Sequence, residues 1–215
     1  MIDTNILKLI EKQVKTFNIP WVTKDFRKHH NPFRVLVSCI LSLRTKDKVT
    51  QEASLRLFKV VKNPFDLAKL KPKQIEKLIY PVGFYRKKAK DLNNLAIQLI
   101  KRYKGVVPNN ENSLLEFKGV GRKTANLVLG LGYGIPAICV DTHVHRISNR
   151  LGWVKTKTPK STEDNLKKII PKNWWIKLNT LLVAFGQNIC LPLRPLCSTC
   201  YVNKYCKKIN VISHR

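Results

Sequence analysis

Hydrophobic positions recur at helical spacing along almost the whole chain, and that pattern predicts an all-α protein. Ile6, Leu9, Ile10 and Val14 follow one another three or four residues apart until Pro20 interrupts. Asn31-Pro32 then supplies a capping side chain and a first-turn proline. Residues 33–41 are apolar nearly all round, the pattern of a central core helix. Asn63-Pro64 repeats the start signal for a short helix ending near Leu70. Further helices are expected over 73–79 and 85–101, either side of the break at Pro81-Val82-Gly83, and over 113–117 and 123–131, closed by Gly132, Gly134 and Pro136. Residues 141–151, 162–170 and 174–184 complete the helical set. No stretch alternates with period two between hairpin turns, so no sheet is expected.

Composition narrows the class. At 215 residues the chain is long enough to bury a core. No apolar run approaches the roughly 20 residues needed to cross a bilayer, so no membrane is expected as a partner. Residues 1–17 mix Asp, Glu and Lys among their apolar positions, unlike a signal peptide, which implies an intracellular, cytoplasmic and reducing setting. Six cysteines there read as ligands or buried thiols. The net charge of +28 and pI of about 10.2 attract polyanions. A lysine-rich background accounts for part of that excess. Nucleic acid is the partner that charge favours, without separating DNA from RNA.

Three motifs carry chemistry. Residues 115–125, Leu-Glu-Phe-Lys-Gly-Val-Gly-Arg-Lys-Thr-Ala, lie between two short helices. Glycines at 119 and 121 allow backbone conformations closed to other residues and leave no Cβ in the way of a partner. Amide groups at the start of the next helix can face a phosphate oxygen. Gly-x-Gly alone is common in αα-turns; the apolar positions Leu114, Leu115, Phe117, Val120 and Ala125 sharpen it into a helix-hairpin-helix. Lys123 falls in the first turn of the second helix, where an ammonium opposes the helix dipole and the free amine is favoured. The simpler role for it is a phosphate clamp.

Val140-Asp141-Thr142-His143-Val144 follows. Asp141 is first of all a good N-cap. A helix over 123–131 rises about 14 Å at ~1.5 Å per residue. An extended return through 135–140 spans about 20 Å at ~3.3 Å per residue. That path can bring Asp141 back beside Lys123, where a carboxylate would stabilise positive charge developing on a sugar. The third motif is Cys190-x6-Cys197-x2-Cys200-x5-Cys206. Four clustered thiolates can close a zinc site or hold a [4Fe–4S] cluster, and the spacing leaves both open. Cys39 and Cys139 sit in apolar runs and read as buried thiols.

Together these motifs resemble the endonuclease III family of helix-hairpin-helix DNA glycosylases, from about Asn31 to Cys206. The resemblance implies a [4Fe–4S] cluster on Cys190, Cys197, Cys200 and Cys206, with Lys123 and Asp141 as catalytic residues. It implies a two-domain fold: a six-helix domain over 25–135 containing the hairpin, and a cluster domain from 1–24 and 136–215, with a DNA-binding cleft between. The implied activity is that of a bifunctional glycosylase and abasic-site lyase, removing oxidised pyrimidines and cleaving by β-elimination through a lysine Schiff base. Its partner would be double-stranded DNA with damaged bases or abasic sites, bound by a monomer associated with the nucleoid. DNA contacts would come from Lys118, Gly119, Val120, Gly121 and Arg122, with His143 and Arg194. Arg44 and Phe84 would fill the gap left by the flipped base.

The sequence departs from the family pattern at three places. Lys118 stands where proline is usual, Arg44 where glutamine is frequent and Phe84 where an aliphatic residue is common. These leave the reaction class intact and bear on opposite-base preference. Two other functions compete. An adenine mismatch glycosylase of the same superfamily would use a carboxylate acid at the position held by Cys39 and lack Lys123. A non-catalytic DNA-binding module would use only the hairpin and the charge.

Overall fold

The computed structural model describes residues 2–215, and no strand occurs among them. The chain divides into two compact units. Trp21–Ile135 forms one; Pro136–Arg215 and the segment ending at Pro20 form the other.

The discontinuous unit begins with α1 (Thr4–Val14), capped by Asp3, whose carboxylate accepts from the Asn5 amide at 2.9 Å. The continuous unit carries α2 (Trp21–His29), α3 (Pro32–Ser42), α4 (Asp47–Val60), α5 (Pro64–Lys69), α6 (Pro72–Ile79), α7 (Tyr85–Tyr103), α8 (Glu111–Leu115) and α9 (Arg122–Leu127). Its axis is α3. Asn31 Oδ1 accepts from the amides of Phe33 and Arg34 at 2.9 and 3.3 Å, and Pro32 occupies the first turn. Leu36, Val37 and Leu41 are fully buried, with α2, α4, α7 and α9 packed around them. Each such side chain contributes about 1.5–3 kcal/mol by leaving water.

Two helices escape the hydrophobic pattern. The inward faces of α2 and α4 include Thr23, Asp25, Thr50 and Ser54, which break the apolar period. Asp25 is satisfied by Arg34, whose Nη2 and Nε donate at 2.5 and 3.0 Å. The helix expected over 123–131 is regular only to Leu127; Val128–Gly132 widens into a π-helical turn. Gly132 ends that turn against Pro32, where a Cβ would come within 3.1 Å of the ring. The short helix expected over 113–117 lies two residues earlier, because Asn110 caps it through the Ser113 amide.

In the other unit α10 (Thr142–Leu151), α11 (Pro159–Ile169) and α12 (Lys172–Asn188) follow. Both α1 and α10 pack on α12, whose Leu178, Leu182, Ala184 and Phe185 are almost wholly enclosed. Beyond Asn188 the only regular element is a 3-10 turn at Asn203–Tyr205. No helix among the described residues is long and apolar enough to cross a membrane.

Candidate functional site

The hairpin is built by packing from below. Leu114, Phe117 and Val120 are buried, while Lys118, Gly119 and Gly121 between them are exposed. The Val120 amide donates to the Phe117 carbonyl at 3.0 Å and closes the turn. Gly119 has φ +85, a left-handed conformation that costs other residues about 1–2 kcal/mol. A Cβ at either Gly119 or Gly121 would meet nothing within 4 Å, so the glycines leave an open face. Lys118, mostly exposed, lies 3.7 Å from buried Asp91, and Arg122 lies 3.4 Å from Glu111.

Lys123 is exposed in the first turn of α9 and acts on α3 beneath it. Burial pushes the Cys39 thiol up to about 12, against the downward pull of the Lys123 charge. Cys39 is therefore a neutral thiol at physiological pH, and no carboxylate occupies that position.

Arg44 and Phe84 stand at the tips of two loops, after α3 and before α7. Both are exposed and left-handed, with φ 52 and 58. The Arg44 guanidinium carbon lies 5.7 Å from the centre of the Phe84 ring. One groove is lined by both residues together with Leu43, Lys88 and the hairpin's Gly119. The structure thus gathers three of the DNA-facing candidates around a single depression. Lys88, which sequence reasoning passed over, is buried at its base.

Asp141 is the N-cap of α10; its Oδ1 accepts from the amides of His143 and Val144 at 2.9 and 3.0 Å. One turn on, Arg146 Nη2 contacts His143 Nδ1 at 3.2 Å and donates to the carbonyls of Gly186 and Cys190 at 3.1 and 2.8 Å. Burial lowers the Arg146 guanidinium from its ordinary value, with the Cys190 and Asp141 charges pulling the other way. Gly186 permits this approach, since a Cβ there would lie 2.5 Å from His143 Nδ1.

A further turn along, Arg150 donates to the carbonyls of Leu191 and Pro192, both at 2.6 Å, and to Cys190 Sγ at 3.5 Å. Arg146 and Arg150 thereby tie α10 to the start of the cysteine loop. Neither was singled out by its sequence context, because a helical arginine facing a loop looks like any solvated one.

All four loop cysteines line one pocket with the apolar side chains of Ile147, Leu151 and Phe185. Burial pushes the free thiol of Cys200 up to about 11 and raises those of Cys197 and Cys206. The Lys208 amide donates to Cys206 Sγ at 3.4 Å. Among the described residues no three acidic, histidine or cysteine side chains surround a point where one ion would sit. Arg194, exposed and left-handed at φ 45, projects from the same loop. The chain end is stitched to it: Arg215 and Pro195, and Ser198 and Arg215, are joined by backbone bonds of 2.9 Å.

Comparisons with known proteins agree with this geometry. The family described as HhH-GPD superfamily base excision DNA repair protein matches residues 37–172. Endonuclease III of Thermotoga maritima is 48% identical over 189 residues, covering 86% of this chain and 89% of that protein. The chain spans about half the length of a chloroplastic endonuclease III homologue of Arabidopsis thaliana, 43% identical over 81% of this chain and 48% of that one. Among solved structures, a non-covalent endonuclease III–DNA complex superposes with TM-score 0.84 at 33% identity, covering 97% of both chains. A trapped endonuclease III–DNA covalent intermediate follows, with TM-score 0.80 at 32% identity and the same coverage. On the family match and these identities, the chain belongs to the endonuclease III family of base excision DNA repair proteins.

Proposed function

We infer that this protein is a bifunctional DNA glycosylase and abasic-site lyase acting on oxidised pyrimidines in double-stranded DNA, with Lys123 as its nucleophile. The observation that carries the reading is Lys123 itself, an accessible amine in the first turn after an open glycine hairpin. The related covalent endonuclease III–DNA intermediate supports it. The damaged nucleotide is taken out of the stack. Arg44 and Phe84 fill the space it leaves, and the hairpin holds the backbone. The Lys123 amine attacks C1′; the glycosidic bond breaks and the base leaves with its electron pair. Asp141 stabilises the positive charge that develops on the sugar. Ring opening gives an iminium between Lys123 and C1′. Loss of a C2′ proton then breaks the C3′–O bond and cuts the strand.

The four cysteines fit a [4Fe–4S] cluster: one thiol for each iron, on the wall of one largely apolar pocket. Backbone and guanidinium N–H groups already reach Cys206 and Cys190 sulfur. The cluster supplies structure here and no bond chemistry, fixing the loop that carries Arg194. The monomer binds damaged DNA through the hairpin, and Arg194 on the cysteine loop is a further DNA contact.

Borohydride trapping on abasic DNA tests the central role. Lys123→Gln keeps length and hydrogen bonding, so it should bind abasic DNA yet form no adduct. Asp141→Asn keeps the N-cap, so the fold should survive while base excision drops by about 10²–10³. Trapping of Lys123→Gln at the wild-type level would assign the nucleophile to another amine.

A further inference from the structure

We propose that Lys88 is a positioning residue that locks the loops bearing Arg44 and Phe84 into one DNA-facing unit. This rests on the reading that those two side chains enter the duplex. Lys88 lies in the first turn of α7, in the run Arg86-Lys87-Lys88, yet only 6% of it is exposed. Its Nζ donates to the carbonyls of Leu41 and Leu43 at 2.8 and 2.6 Å and to Thr45 Oγ1 at 3.3 Å. An ammonium has three N–H groups, and these three acceptors use them all. All three lie in the last turn of α3 or just beyond it, on either side of Arg44.

Thr45 passes the connection on. Its hydroxyl also accepts from the Gly83 amide at 3.1 Å, in the loop that leads to Phe84. Gly83 is pressed so close that a Cβ would stand 2.5 Å from the Arg44 carbonyl oxygen. Lys88, Thr45 and Gly83 therefore form a latch across two loops distant in sequence. Each loop holds one non-glycine residue in the left-handed region, Arg44 and Phe84. Such conformations persist only where the surroundings over-determine them, and they concentrate at functional positions. A hydrocarbon at position 88 would fill the space but fix nothing, because only directional donors can hold the Leu41 and Leu43 carbonyls before Arg44 and the Thr45 hydroxyl after it. Burial brings the Lys88 ammonium down to about 8, so it remains largely protonated and a full donor at neutral pH.

The test compares single-turnover excision of an oxidised pyrimidine with strand cleavage at a preformed abasic site, where less must be extruded. Lys88→Met should slow excision about 10- to 100-fold, while abasic cleavage falls by less than about threefold. Adding Arg44→Ala to Lys88→Met should cost less than about twofold more, since Arg44 is already displaced. Leu57→Ala, in the core of α4, supplies a stability control that lowers Tm without splitting the two substrates. Equal losses on both substrates, or full additivity with Arg44→Ala, would overturn the inference. Should Lys88→Met fail to fold, Thr45→Val removes the bridging hydroxyl and should give the same split at smaller size; no split there overturns it equally. Arg44→Ala and Phe84→Ala separate the two levels. If neither splits the substrates, duplex entry itself is wrong; if both do and Lys88→Met does not, only the latch fails.

Discussion

The glycine hairpin and the cysteine loop are held by different means. From Leu114 to Leu127 the chain braces itself: Leu114, Phe117 and Val120 fill the core, Asn110 caps α8, and the exposed residues ride on that support. From Cys190 to Cys206 there is little of this kind. Val202 is the residue of that stretch in the hydrophobic cluster of its unit, and one short 3-10 turn is its regular structure. The carbonyls at 190–192 are met by Arg146 and Arg150 from α10. The hairpin is preorganised by burial, which needs no ligand. The cysteine loop relies on fixed cations beneath it and on whatever its four thiols hold.

Removing that ligand should break the comparison most visibly. On the proposal that the four cysteines hold a cluster, chelation of its iron, or Cys200→Ser, should cost the cysteine loop its fold and the discontinuous unit several kcal/mol, about 3 or more, as loss of a structural metal does. Limited proteolysis should then cut between 190 and 206 while Trp21–Ile135 stays resistant. Simultaneous digestion of both units would show that the hairpin is not independent. Arg150→Met should come next, at about 2–4 kcal/mol in chemical denaturation, because it strips donors from two carbonyls and a sulfur at once. Iron content should fall with it; a variant with full iron and wild-type stability would assign the support elsewhere. Gly119→Ala should be mildest, about 1 kcal/mol, since the cost is left-handed strain with no clash. Gly121→Ala, at φ −100, should cost less still. A larger loss at Gly121 than at Gly119 would mean that space, not conformation, selects these glycines.

What the sequence made legible follows the same division. The helix α3 stands out because burial there follows the apolar pattern, as it does in α7 apart from Lys88 and Asp91, and the hairpin because its glycines sit among buried Leu, Phe and Val. The cysteine spacing announces a ligand set without the arginines that shape its loop. Asp25 and Thr50 hid α2 and α4, since a buried polar residue satisfied by another helix, as Asp25 is by Arg34, or by its own helix cap, as Thr50 is by the Lys46 carbonyl, breaks the period without breaking the helix. Lys88 was hidden by its company: among Arg86 and Lys87 it reads as one more solvated charge. Only the carbonyls brought over it by α3 show where its ammonium points.

One feature of the topology bears on biosynthesis. The apolar stripe of α1, Ile6, Leu7, Ile10 and Val14, finds its partner in α12, more than 150 residues later. On a ribosome the continuous unit emerges whole and can close while α1 still has nothing to cover it. For that interval the nascent chain carries a sticky amphipathic helix tethered to a folded body. Lys8, Glu11 and Lys12 on its outer side, with Lys15 at its cap, are exposed and give the waiting segment a charged face toward water.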